Sequence, residues 1–364
     1  MRIVSVTGYA IRFAFVGGSF STSYGRRTAL ANILLVIGAD DGSQGFGEIC
    51  QLSSVASTPL DDREVDLTAT ACANLIGLDS RDIVAAVAAL GAGALSNLRC
   101  GVDTALWDMM GGRAGQPLFR LFGGRAGEKT AIYATLSSEA PDEVARNAEK
   151  ARQKGIGRFQ LKIEGHVDRD IARIEALASF LRPGDEALVD ANGGYDVDGG
   201  RTVAEAAKAA GVMFEEPCTT FEENLEVARA TGCPVVLDQC MNALPMYVRA
   251  IAAETFAGVG VKPTNLGGLS VARSVRDLCI ASGLPMKVDD MWAADTGSLG
   301  VLHLAAGVPQ NLLLASVDMR PYFDGAMFTG GPAAANGMLV LDDTPGLGLS
   351  PIGEQLGEPL FSVS

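Results

Sequence analysis

The chain has 364 residues, 48% of them apolar and 20% charged, with a formal net charge of −14. That length exceeds one ordinary domain and suggests two, and the composition is that of a folded globular protein. The acidic balance leaves no basic stripe for nucleic acid, and no uninterrupted apolar run reaches the ~20 residues of a membrane span.

In chain order, residues 2–15 partly alternate in polarity, as a half-buried strand does. A polar loop with two aromatics, Phe20 and Tyr24, fills 17–25. Residues 31–39 read as a strand that turns at Asp40-Asp41-Gly42-Ser43 and returns through Gln44-Gly45-Phe46-Gly47-Glu48. Helical patterns follow at about 61–76, 80–90 and 101–111, so the first third is α+β. From about residue 129 the rhythm becomes alternating strand and helix, beginning with a strand at 132–136. Helices are predicted at 142–154, 170–181, 201–210, 224–230, 243–253, 269–282 and 296–306, and a last strand at 312–317. Beyond Pro321 the rhythm is lost in a Gly- and Pro-rich tail with one more strand-like run at 338–341. With six further strand-like apolar runs between them, the strands at 132–136 and 312–317 complete eight, enough for a closed (β/α) barrel, so the tail is expected to pack back on the N-terminal domain.

Six short apolar runs of the second half each end on a charged side chain: Lys162, Asp190, Glu215, Asp238, Lys262, and Asp290 after Asp289. The intervals between these residues are 28, 25, 23, 24 and 28, close to the ~30 residues of a crossover unit. Parallel strands that carry chemistry at one end describe a (β/α) barrel with its active site at the C-terminal face. Asp190, Glu215 and Asp238 stand on three successive strands, so their carboxylates can meet at one point. Together they would be costly without a cation, and an all-oxygen set with open positions suits one Mg2+ per subunit. Lys162 and Lys262 flank the acids and should face each other across the cation. A nearby positive charge and partial burial both lower a lysine pKa, which makes a base usable near neutrality. Two bases on opposite faces of one carbon allow a proton to leave one face and arrive at the other.

These residues resemble the enolase superfamily, muconate-lactonising and mandelate-racemase type, in Gln160-Leu-Lys162, Asp190-Ala-Asn192, Phe214-Glu215-Glu216-Pro217, Leu237-Asp238 and Val261-Lys262 with Gly267-Gly268-Leu269. Gly101-Val-Asp103-Thr-Ala-Leu-Trp107-Asp108 fits the hand-over from capping domain to barrel. The resemblance implies an α+β cap from residues 1–122, a modified TIM barrel from 123–320, and a tail, 321–364, that rejoins the cap. It also implies α-proton abstraction through an enediolate stabilised by Mg2+. Specificity loops are implied around 17–25, with Tyr24, and 50–56, with Gln51. Two departures stand out: Gln160 replaces the first lysine of a Lys-x-Lys pair, and Gln239 replaces a glutamate. Loss of that anionic partner is expected to lower the pKa of Lys262.

Lys287-Val-Asp289-Asp290-Met291-Trp292-Ala-Ala-Asp295 is similar to the Asp-x-Trp-Gly-Gly-Asp segment of cis-3-hydroxyproline dehydratases and hydroxyproline-betaine epimerases, with alanines for the glycines. The indole of Trp292 beside Asp290 would seat a substrate ammonium. Asn192, Asp295 and Cys218 complete the implied substrate-binding set, Cys218 as a small pocket-lining residue. The implied reaction is dehydration of cis-3-hydroxy-L-proline or epimerisation of a proline derivative or betaine. The alternatives are a dipeptide epimerase, an acid-sugar dehydratase, a muconate-type cycloisomerase or an inactive metal-binding scaffold. His166 and His303 are the sole histidines; His303 lies in a helical apolar pattern, so Ser-His-Asp chemistry is disfavoured. Seven scattered cysteines without a CxxC pair and the absence of a signal-like apolar core point to a reducing cytoplasm. A homo-oligomer is also expected from the resemblance.

Overall fold

The computed structural model describes residues 1–22, 25–50, 61–137, 140–290 and 292–364. Tyr24 and Gln51 lie outside the described residues.

The chain begins with a four-stranded antiparallel sheet. Strand Ile3–Ala14 pairs with Ala29–Ala39 along nearly its whole length, from Ile3 opposite Ala39 to Ala14 opposite Ala29. The predicted turn at Asp40–Ser43 returns the chain as Gln44–Ile49. The fourth strand is Pro359–Val363 from the tail, antiparallel to the first and at the opposite edge. Helix Ser96–Ala114 lies against the Gln44–Ile49 strand so closely that side chains cannot intervene. A Cβ at Gly45 would stand 2.0 Å from the Ala105 carbonyl oxygen, and one at Gly47 would stand 1.9 Å from that of Gly101. The helix starts earlier than the pattern at 101–111 suggests.

This helix ties the cap to the rest. Asp103 accepts from the Ser270 backbone N–H, 3.0 Å, at the start of a barrel helix, and Trp107 Nε1 donates to Ser270 Oγ, 2.8 Å. Asp108 accepts from Phe46 N–H, 3.0 Å, and from Leu347 N–H of the tail, 2.8 Å.

Eight parallel strands form the second unit: Ala134–Leu136, Arg158–Lys162, Glu186–Asp190, Met213–Glu215, Val235–Leu237, Gly258–Val261, Met286–Val288 and Leu313–Ser316. Neighbours in sequence are neighbours in space, and an Ile132–Ser316 bridge joins the two edges. The architecture is therefore the (β/α) barrel with an α+β cap read from the sequence. The intervening helices fall where their apolar periodicity places them, within a few residues, and helix Phe221–Thr231 opens on a capping box between Thr220 and Glu223. One run pairs elsewhere than expected: Met338–Leu339 pairs with Thr130–Ala131 at the start of the barrel, not with the cap sheet. The first barrel strand is accordingly broken, Thr130–Ala131 turning to the tail and Ala134–Leu136 to the second strand. Among the described residues no helix is long and apolar enough to cross a membrane.

Candidate active site

The three carboxylates converge because of register. Lys162 stands opposite Asp190 and Asp190 opposite Glu215 across three adjacent parallel strands, and Asp238 follows the next strand directly. One oxygen from each of Asp190, Glu215 and Asp238 lies within 4.8 Å of the others, and all three residues are buried. Asp238 Oδ1 and Asn192 Oδ1 are buried without a hydrogen-bond partner. An all-oxygen set with an orphaned carboxylate oxygen fits a hard divalent cation that supplies the missing charge.

Each acid is held on its other side. Lys162 Nζ and Gln160 Nε2 both donate to Asp190 Oδ2, the second at 3.1 Å. Gln160 Nε2 also donates to Glu215 Oε2 at 2.9 Å. Lys262 Nζ donates to Asp238 Oδ2 at 2.6 Å. Asn192, at φ 47°, donates its backbone N–H to Asp190 Oδ1, 2.8 Å, and its amide to Oδ2, 3.1 Å. Gln160, singled out as a departure, thus serves as a neutral clamp between two of the acids.

Several contributors are not evident from strand ends alone. Lys287, in the middle of the seventh strand and 1% exposed, pairs with Glu215 Oε1 and, at 3.0 Å, with Asp289. Tyr133 donates its hydroxyl to the same Asp289 oxygen at 2.9 Å. Glu216, at φ 40°, accepts from the backbone N–H groups of Asp238, 2.5 Å, and Cys240, 2.9 Å, and so fixes the fifth strand's end. A lysine inside the apolar run Met286–Val288 was the one available sequence signal for Lys287.

The charges shift as this geometry requires. Burial, reinforced by Asp190 and opposed by Lys287, pushes Glu215 up to about 8. Asp238 is also buried, yet Lys262 and Lys287 outweigh that burial and bring it down to about 2. Burial acts to lower Lys262, but Asp238 and Asp289 prevail and hold it above its ordinary value. Asp238 itself is thus the main anionic partner of Lys262.

The proposed substrate-binding residues divide. The cap grips the segment after the seventh strand. Asn32 donates to the Trp292 carbonyl at 2.7 Å, while Glu48 accepts from Ala294 N–H, 2.8 Å, and Gly297 N–H, 3.3 Å. This grip shapes the loop with alanines in place of glycines; the left-handed backbone falls on Trp292 itself, at φ 45°. Trp292 meets Phe20 and Phe15 edge to face, and the guanidinium carbon of Arg27 lies 5.0 Å from the indole centroid. The ring expected to seat a substrate cation therefore already faces one from the chain. Asp290 accepts from Thr264 N–H at 3.1 Å and ties the sixth and seventh strand loops. Asp295 turns away, accepting from Met327 N–H of the tail at 2.7 Å.

Cys218 needs a correction too. It is fully buried, bound through its backbone to Asn224, and packs toward Gly200 between two barrel helices, not at the mouth. Burial pushes its thiol up to about 12, which leaves no thiolate for chemistry. His303 is buried and stacked on Phe119, with Nδ1 accepting from Phe119 N–H at 3.2 Å, as expected of a structural histidine. Burial lowers its pKa to about 4.

Comparison with known proteins agrees with this geometry. Residues 17–123 match the mandelate racemase / muconate lactonizing enzyme N-terminal domain, and residues 143–355 match the enolase C-terminal domain-like family. A cis-3-hydroxy-L-proline dehydratase of Roseibium aggregatum is 33% identical over the whole of both chains. An N-succinyl-L-Arg/Lys racemase of Bacillus cereus is 23% identical over 96% of this chain and 95% of its own. Among solved structures, a mandelate racemase/muconate lactonizing enzyme from Roseovarius nubinhibens superimposes with a TM-score of 0.92 at 31% identity, covering 100% of this chain and 98% of that one. An enolase-superfamily member from the same organism, complexed with magnesium, gives 0.90 at 28% identity, covering 100% and 99%.

Proposed function

This chain is an enzyme of the enolase superfamily, of the mandelate racemase / muconate lactonizing type, and from that premise we propose that it removes the α-proton of cis-3-hydroxy-L-proline and expels the neighbouring hydroxyl as water. The observation that carries the reading is the buried Asp190–Glu215–Asp238 cluster with one lysine against each outer acid. The dehydratase from Roseibium aggregatum, similar along its full length, supports the choice of substrate.

Asp190, Glu215 and Asp238 would hold Mg2+, which supplies positive charge to the substrate carboxylate as negative charge develops on it. The chain's residues do the rest. Lys162 and Lys262 stand on opposite sides of the acid cluster, each anchored to an outer carboxylate. A bound cation would also share the charge of Asp190 and Asp238, which would weaken the attraction that holds Lys262 protonated. One lysine then takes the α-proton, and the other gives its proton to the oxygen that leaves from C3. Gln160 and Lys287 keep Glu215 oriented, and Glu216 does the same for Asp238 through its backbone. The cap closes over the barrel through Asn32 and Glu48, which limits water at the reacting carbon.

The test is proton NMR of cis-3-hydroxy-L-proline with the protein and Mg2+ in heavy water. The reading predicts loss of the α-proton and of the C3 carbinol signal together. An unchanged substrate, alongside turnover of a dipeptide or an N-succinyl amino acid, would overturn the substrate assignment.

A further inference from the structure

The helix that follows Lys162, Val167–Phe180, turns inward an ion pair that the chemistry above leaves unused. Asp170 and Arg173 are 1% and 2% exposed, and Arg173 Nη1 donates to Asp170 Oδ1 at 3.0 Å. Burying two charges costs about as much as their attraction returns, so such a pair adds little net stability. What it supplies is direction. Arg173 Nη2 donates to the backbone carbonyl of Lys162 at 2.7 Å. Among the described residues the first barrel strand pairs no further than Leu136 opposite Leu161. On that side the sheet ladder stops one residue short of Lys162, and the guanidinium takes its place. The N–H of the same peptide, from Ile163, donates to the Asp190 carbonyl at 3.0 Å. The peptide that follows Lys162 is thus held at both ends, by Arg173 and by a residue of the acid cluster.

Asp170 spreads the same hold over two loops. It accepts from the backbone N–H groups of Glu164, 3.1 Å, and His166, 2.8 Å, after the second strand, and from the Tyr195 hydroxyl, 2.6 Å, after the third. The two loops touch, since a Cβ at Gly165 would stand 2.7 Å from the Gly194 carbonyl oxygen. Tyr195 N–H in turn donates to the Pro217 carbonyl at 3.1 Å, just beyond Glu215 and Glu216. Fixing the peptide plane after Lys162 fixes the direction of its Cα–Cβ bond, and an error there grows along the flexible four-carbon stem of the side chain. We propose that the buried Asp170–Arg173 pair, with Tyr195, is a positioning device for Lys162, holding its amine at the reacting carbon while itself touching neither substrate nor metal. This rests on the functional reading above and deepens it, assigning the alignment of one of the two lysines to charges outside the barrel mouth.

Turnover of cis-3-hydroxy-L-proline and calorimetric Mg2+ binding are compared in the wild type, Arg173→Met, Arg173→Lys and Tyr195→Phe. Arg173→Met should lower kcat by about tenfold or more, since a misplacement of ~1 Å can cost about 100-fold, and should leave KM and Mg2+ affinity unchanged. Arg173→Lys, which can still reach the carbonyl, should recover part of the loss. Tyr195→Phe removes a single hydroxyl and should give the same pattern at smaller size, which keeps the proposal testable if Arg173→Met fails to fold. The control is Arg152→Met, which breaks a partly buried ion pair with Asp185 between helix Pro141–Gln153 and the loop before the third strand and should cost stability alone. Wild-type kcat in Arg173→Met, or a fall in kcat matched by an equal fall in Mg2+ affinity, overturns the proposal. A second measurement needs no turnover. In protein carrying carbon-13 at lysine Cε and loaded with Mg2+, the NMR signals of Lys162 and Lys262 are assigned by their loss in Lys162→Arg and Lys262→Arg. Arg173→Met should move the Lys162 signal and leave that of Lys262 in place. A Lys162 signal that stays, or two signals that move alike, overturns the proposal. A wild type inactive on the substrate refutes the functional reading, while the positioning of Lys162 is still judged on these signals.

Discussion

Gly260→Ala is the substitution whose effect the structure defines most sharply. Gly260 lies in the sixth barrel strand, and a Cβ there would stand 2.5 Å from Asp238 Oδ1, 3.3 Å from its Cα and 3.4 Å from its Cγ. Non-bonded atoms settle at about 3.5–4.0 Å, so the carboxylate must retreat by about 1 Å. It has little freedom to do so, because Lys262 holds its other oxygen and Glu216 holds its backbone N–H. Overpacking of this kind costs ~1–3 kcal/mol of stability. A displacement of ~1 Å at a reacting site costs about 100-fold in rate, or about 2.7 kcal/mol of barrier at 1.36 kcal/mol per decade. Steady-state kinetics, a Mg2+ titration and a thermal melt are read together. The control is Gly258→Ala, at the start of the same strand, where the added Cβ meets a Leu314 methyl at 2.6 Å and the Pro285 carbonyl oxygen at 3.0 Å and no residue of the acid cluster. Gly260→Ala should lose about 100-fold in kcat/KM and bind Mg2+ more weakly, whereas Gly258→Ala should lose stability alone. Wild-type turnover and metal affinity in Gly260→Ala would refute the placement of Asp238.

Two further perturbations probe the site from other directions. Glu48 is buried beneath the Trp292 loop and pushed from 4.5 up to about 7 by burial. The folded state therefore holds that proton more tightly than the unfolded chain, so stability falls as pH rises from 4.5 to 7, by about 3 kcal/mol in all. Glu48→Gln should flatten that part of the pH profile, and melts of both proteins from pH 5 to 8 that stay parallel would contradict it. Mg2+ at about 100 times its dissociation constant should stabilise the fold by about 2.7 kcal/mol. A chelator should reverse the gain and Asp190→Asn should abolish it, as read by calorimetry; an undiminished gain in Asp190→Asn would place the cation elsewhere.

Much of this site was legible in the sequence because barrel strands are short apolar runs whose last residue faces the mouth. Register then brings Asp190, Glu215 and Asp238 together without any long-range information beyond regular spacing. The supporting residues were harder to find because their partners are remote: Lys287 reaches Glu215 from 72 residues away, and Asn32 reaches Trp292 from 260. No local pattern links such pairs. Cys218 shows the opposite failure, since its implied place in the pocket carried no sign of which face it would take. The anion that dominates at Lys262 is Asp238 on the neighbouring strand, a pairing set by register. The return of the tail to the cap followed from topology, but neither the pairing of 359–363 with the first strand nor that of Met338–Leu339 with Thr130–Ala131 did.

The claim at the centre of this account is that two lysines divide the elimination, one taking the α-proton and the other protonating the hydroxyl that leaves C3. The most direct measurement is proton NMR of cis-3-hydroxy-L-proline in heavy water with Mg2+ for Lys162→Ala and Lys262→Ala, read for loss of the α-proton and for loss of the C3 carbinol signal. Both variants should lose elimination by about 100-fold or more, and one of them alone should keep exchange of the α-proton. Wild-type elimination in either variant would contradict it.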